Sequence, residues 1–116
     1  MKIIEYHQAS ASHFESETAK GVTGRVLIGK QDGAPLFCMR HFEVAEAGYT
    51  PRHTHEWEHE IFFLSGEGEI YTNGKWSKVA KGTAAFIPGN EEHQIRNAGT
   101  SPLQFICLIP SGPPEL

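Results

Sequence analysis

With only Cys38 and Cys107 to draw on, the 116-residue chain cannot build a disulfide framework. Each lies inside an apolar, strand-like run where a reduced thiol behaves as a small hydrophobe, so buried free thiols are expected rather than a bridge. Clustered positive charge is missing as well. Ten Lys and Arg are scattered against 14 Asp and Glu, for a net charge of −4, whereas a nucleic-acid surface gathers its cations on one face. No apolar run approaches the roughly 18 residues that cross a bilayer, and the first twenty residues lack the apolar segment of a signal peptide. The expectation is a cytoplasmic protein with neither a nucleic-acid nor a membrane partner. An apolar 3.6-residue period sustained beyond two turns is also absent, which excludes a helical architecture.

What is present is a beat of short β-rich runs from Gly21 onward. They read VTGRVLI, PLFCMRHFEV, EIFFL, GEIYT, KWSKV, TAAFIP, HQIRN and PLQFICLIP, separated by turn residues such as QDG, SGEG, TNG and GNEE. Eight or nine strands at this spacing close into a sandwich or barrel. Asn73-Gly74 is a two-residue hairpin signal, because both central positions of a type I′ turn need positive φ. The chain reads as one domain, residues 1–116: an N-terminal segment over 1–20, a barrel over 21–110 and a proline-rich tail over 111–116. Residues 8–20 are the only helical candidate, with Ser12 and Glu15 spaced as a capping box.

The densest chemistry is HTHEWEHE, His53 to Glu60. It contains H-E-x-x-H, from His55 to His59, which on a helix binds zinc with Glu56 as general base. On a helix, however, His53 would lie about 200° around the axis from His55, and IFFLSGEGEIYTNG continues with strand formers and glycines. On a strand, His53 and His55 share a face about 6.6 Å apart. His59, four extended residues further on, would be roughly 13 Å from His55. For all three to meet one ion the chain must turn at Glu56-Trp57-Glu58, with His59 entering from the next strand.

The stretch GYTPRHTHEWEHEIFFLSG resembles the first signature of the cupins: glycine, five residues, H-x-H, three or four residues, glutamate, six residues, glycine. His59 stands where that glutamate usually does, Gly66 closes the motif, and Gly48 is one residue too close to His53. GTAAFIPGNEEHQIRN resembles the second signature, glycine, five residues, P-x-G-x-x-H-x-x-x-N, with Gly82, Pro88, His93 and Asn97 in register. Asn90 replaces its middle glycine, a mild change because Asn tolerates positive φ.

The resemblance implies an all-β, single-domain cupin barrel, a double-stranded β-helix or jelly roll. It further implies one divalent transition metal per chain on His53, His55, His59 and His93, with Mn or Fe favoured and Ni, Cu or Zn possible, and a homodimer. The alternative is that Glu60 replaces or joins His59, since the family also allows four intervening residues, although adjacent strand residues face opposite ways. Each histidine must be neutral to ligate, so metal loss is expected below about pH 6.

Strand parity supplies pocket candidates. Ile95 shares a face with His93, while Phe105, Cys107 and Ile109 form one face of the last run and are assigned inward by the resemblance. Arg40 shares a face with Phe42 and Val44; it is either a cation near the pocket, able to hold a substrate carboxylate or oxyanion, or an Arg paired with a surface acid. His7, His13 and His41 are read as solvated or structural, and Trp57 and Trp76 as core or interface aromatics.

By resemblance to related cupins, the expected activity is a dioxygenase-like, metal-dependent oxidoreductase acting on a small organic molecule. A non-catalytic ligand-binding or sensing module and an H-E-x-x-H metallohydrolase are the alternatives, so whether the chain is an enzyme stays open.

Overall fold

The computed structural model describes all 116 residues. Nine strands form in chain order: β1 Ala11–Phe14, β2 Lys20–Ile28, β3 Phe37–Tyr49, β4 His59–Ser65, β5 Glu67–Thr72, β6 Lys75–Ala80, β7 Ala84–Ile87, β8 His93–Asn97 and β9 Leu103–Pro110. Hydrogen bonding orders them β6-β5-β8-β3-β9-β4-β7, with β2 also on β3 and β1 on β2. All pairings are antiparallel. The all-β jelly-roll expectation is borne out, and no helix is long and apolar enough to cross a membrane.

The core follows from the period of two. In β4, His59, Ile61 and Phe63 are buried while Glu60, Phe62 and Leu64 are exposed. In β9, Leu103, Phe105, Cys107 and Ile109 point in, and in β8 His93, Ile95 and Asn97 do. One apolar cluster joins these faces with Val22, Cys38, Val44, Ile70, Val79 and Ile87. Both cysteines are free and buried within it. Asn73 and Gly74 take φ of 48° and 80° between β5 and β6, as a type I′ turn demands.

The N-terminal segment corrects the helical reading of residues 8–20. A single 3-10 turn covers Tyr6–Gln8, and Ala11–Phe14 is a strand paired to Val22–Arg25 of β2. Glu15 does not cap a helix; its carboxylate accepts the Gly21 N–H at 2.7 Å. The other edge of β2 is already taken by β3, and ladder bonds on its free edge outweigh a weak local helical preference. The tail docks against the barrel: Glu115 Oε2 accepts the Lys30 N–H at 2.9 Å, and Leu116 reaches the cavity described below.

Candidate metal centre

Two histidines arrive on regular strands. His59 opens β4 and His93 opens β8, and parity turns both inward, leaving them 8% and 4% exposed. Glu60, next in β4, consequently faces outward, which removes it as an alternative donor. His53 and His55 arrive on an irregular stretch. Residues 54–64 contain no helix: a bend at Glu56 and Trp57 precedes β4, so the helical H-E-x-x-H reading is overturned. Beyond a single bridge at His53, no ladder orients this stretch, and it is tied to the second motif instead. His53 N–H donates to His93 O (3.1 Å), His93 N–H donates to His53 O (3.0 Å), and Asn90 N–H donates to His55 O (2.7 Å). Asn90 sits at φ 65°, the left-handed region that the usual glycine would occupy. Gly89 allows the approach, because a Cβ there would run into the carbonyl oxygen of Glu56.

The donor atoms of His53, His55, His59 and His93 all lie within 4.8 Å of one another. His55 Nε2 and His59 Nε2 are 2.8 Å apart, and His53 Nε2 and His93 Nε2 are 3.1 Å apart. Ligands 90° apart on a metal about 2.0–2.2 Å away are separated by about 2.8–3.1 Å, against about 3.3–3.6 Å at a tetrahedral angle. These two pairs have a spacing that two ligands of one ion can take, and the four residues together would hold one metal.

The outward ring nitrogens explain why Nε2 faces the centre. His55 Nδ1–H donates to Trp57 O and His93 Nδ1–H to Glu91 O, both at 2.9 Å, which leaves a lone pair on each Nε2. His59 Nδ1 meets Cys107 Sγ at 3.1 Å and Arg40 Nη2 at 3.2 Å. Trp57 lies flat on His55, with centroids 4.2 Å apart and planes 6° apart. Sequence reading placed Trp57 among core or interface aromatics; its position two residues from a candidate ligand was the available signal.

Burial, then the charge of Arg40, pulls His59 down to about 3. His53 is exposed as a residue, but its ring tip is packed among the other imidazoles; that burial, then His93, brings it to about 4. His55 is also lowered, chiefly by burial. His53 and His59 are therefore neutral well below pH 6, so at these two rings protons compete with a metal only at a lower pH than the sequence alone implies.

A cavity of about 180 Å³ opens beside the cluster, walled by His53, His59, His93, Arg40, Phe14, Val22, Phe42, Ile61, Ile95, Phe105, Cys107 and neighbouring side chains. Four of the pocket candidates, Arg40, Ile95, Phe105 and Cys107, line it. Ile109 points inward at 2% exposure but belongs to the core beyond it. No Asp or Glu lines the cavity. Arg40 is not paired with an acid: the three ion pairs are Lys2–Asp32, His7–Glu5 and Arg96–Glu69. His41 is structural, buried on the opposite face of β3 beneath Tyr6 and bonded to Gln104, while His7 and His13 are at the surface. Asn97 is a staple, donating to Val44 O and Ser101 O at 2.9 Å each.

A family model described as the cupin domain matches residues 40–109. This chain belongs to the cupin family. Among solved structures, the polyketide cyclase RemF from Streptomyces resistomycificus superposes on it with a TM-score of 0.89 at 36% identity, over 98% of this chain and 82% of that one. A cupin-2 domain from Rhodospirillum rubrum gives 0.83 at 25% identity, over 96% and 75%. The curated relatives include an oxalate-binding protein from Thermotoga maritima, 40% identical over 49% of this chain and 48% of that protein. Auxin-binding protein 1 from Arabidopsis thaliana is 30% identical over 71% and 48%. The cupin thus spans about half the length of the curated relatives it matches.

Proposed function

We propose that this cupin holds one divalent transition metal on His53, His55, His59 and His93 and works as a Lewis-acid enzyme on a small carbonyl-rich molecule, in cyclisation chemistry of the kind RemF is named for. The observation that carries it is the convergence of four imidazoles, three of which (His53, His59 and His93) wall a largely apolar cavity that no Asp or Glu side chain lines. When bound, the metal would supply polarisation of a carbonyl oxygen. The chain's own part is to favour the neutral form of His53, His55 and His59 by burial, to fix three of the four rings through their Nδ1 contacts, and to surround the substrate with Phe14, Phe42, Ile61 and Phe105 so that water is displaced. With no Asp or Glu side chain in the cavity, proton abstraction by that usual agent is not available. Mn or Fe remains the expected metal, and imidazole donors suit Ni, Cu and Zn as well.

The dioxygenase-like oxidoreductase expected from the sequence is the second reading, supported by the same all-imidazole shell. A binding or sensing role is the third, supported by two curated relatives named for binding. Turnover of a poly-β-carbonyl substrate by the zinc-loaded protein under nitrogen decides among them. Activity without oxygen is expected; a strict need for dioxygen and a redox metal points to the oxidoreductase, and no turnover with retained ligand binding points to the binder.

The proposal includes a homodimer. Phe62, Leu64 and Phe86 are 49%, 38% and 61% exposed on the outer face of β4 and β7, and β7 has no partner strand on its far edge. A second copy placing the same face against it buries both features at once. Sedimentation velocity should show a dimer that Phe86→Ser converts to monomer; a monomeric wild type rejects this part.

A further inference from the structure

We infer that the cavity beside the histidine cluster binds a small organic monoanion, a carboxylate or enolate on an apolar body, with Arg40 as its counter-ion. The site itself stands on the surroundings of Arg40, and the coupling to metal described below rests on the proposed metal centre.

Arg40 is 7% exposed. Holding a guanidinium out of water costs several kcal/mol unless an anion and hydrogen-bond acceptors compensate it. No carboxylate forms an ion pair with it. Glu115 offers Arg40 only its backbone carbonyl, at 3.3 Å from Nη1, and turns a carboxylate oxygen to the Lys30 N–H instead. Of the five guanidinium N–H groups, those on Nη2 meet Cys107 Sγ (2.9 Å) and His59 Nδ1 (3.2 Å). One on Nη1 meets Glu115, and Nε is buried with no partner at all. Nε–H and one Nη1–H are therefore unspent on a side chain that walls the cavity.

Metal loading would add to this imbalance. If His59 ligates through Nε2, its neutral ring carries the proton on Nδ1, where it can donate to Cys107 Sγ but cannot accept from Arg40. Arg40 then loses an acceptor. A divalent ion ligated by four imidazoles would add two positive charges beside the one on Arg40, in a cavity with no Asp or Glu side chain in its wall. An anion placed there is stabilised by both, so metal and anion strengthen each other's binding by the same factor. The aromatic walls and the volume of about 180 Å³ suit a body the size of a single ring.

The test titrates benzoate into the metal-free and the zinc-loaded full-length chain by calorimetry, with benzamide as the uncharged control and zinc content measured separately. Wild type should bind one benzoate in both forms, more tightly with zinc. Arg40→Met should weaken benzoate about ten- to a hundredfold, the range for a charge-assisted bond, with benzamide unaffected and zinc content retained. Equal benzoate affinity in the two proteins, or no saturable binding by wild type in either form, overturns the inference. Arg40-dependent benzoate binding in a chain that takes up no zinc supports the site and rejects the metal reading. A readout on wild type alone covers a variant that fails to fold: the Arg40 Nε–H resonance should move with benzoate and not with benzamide, and a stationary resonance overturns the site.

Discussion

His59 and His93 stand on ladder-paired strands and are buried, whereas His53 and His55 stand on an irregular stretch and are exposed and half-buried. The strand pair needs no special device, because an inward strand position aims the ring and the ladder holds it. The loop pair needs anchoring, and the second motif supplies it: the His53–His93 bridge, the Asn90–His55 bond and the close approach at Gly89 all run from residues 89–93. The two motifs are therefore one device. The second contributes a ring and also the scaffold on which two rings of the first are hung.

The largest expected effect tests whether the two halves count equally toward metal. His53→Ala and His93→Ala, forty residues apart, should each lose stoichiometric metal by elemental analysis. Metal retained in either variant breaks the four-donor assignment. Without metal the halves should separate: His93→Ala, which leaves a hole in a buried position, should lower unfolding stability by about 1–3 kcal/mol, and His53→Ala should leave it nearly unchanged.

Acid should come next. The unfolded imidazoles titrate near 6.5, while the folded values are depressed to about 4 for His53 and about 3 for His59. Between these limits the unfolded chain holds more protons, so stability of the metal-free protein falls as pH drops from 6.5. The loss levels off once the folded rings also protonate. His59→Gln should shrink this fall more than His53→Gln does, the difference opening between pH 5 and 3 in urea unfolding, because the buried strand ring resists protonation to a lower pH. Equal slopes in the two variants would erase the distinction between the halves.

The smallest effect concerns the anchoring of the loop. Trp57→Leu removes the ring that lies flat on His55 and keeps the Trp57 carbonyl that orients it. Metal affinity should weaken about two- to tenfold, the value of a stacked pair. An unchanged affinity in a competition titration would show that backbone bonds alone hold the loop half.

Much of the fold was legible because strands announce themselves by alternation. The eight runs marked from Gly21 onward correspond to β2 through β9, and Asn73-Gly74 to their tightest hairpin. The turn between His55 and His59 was legible from chain length alone, since an extended strand separates those rings too far for one ion. β1 was not legible: ASHF is too short to show a period, and it is a strand only because the edge of β2 is free to pair with it. Thr50 and the carbonyl of Glu91 were missed for a related reason. Their roles are backbone bonds or ring contacts, as where Thr50 Oγ1 accepts the Ile95 N–H at 2.9 Å, and such contacts leave no residue pattern.

Arg40 marks where sequence reading stopped. Period and chain reach sufficed for the succession of strands and for the turn between His55 and His59, while the jelly roll, the inward face of Phe105 and Cys107 and the set of four histidines came from the resemblance to the cupin signatures. Whether Arg40 met a surface acid or stood without a carboxylate partner beside His59 was settled only by tertiary structure. The reason is physical: a charge's partners are set by distance through space, and Cys107 and Glu115, which it meets, lie 67 and 75 residues away along the chain.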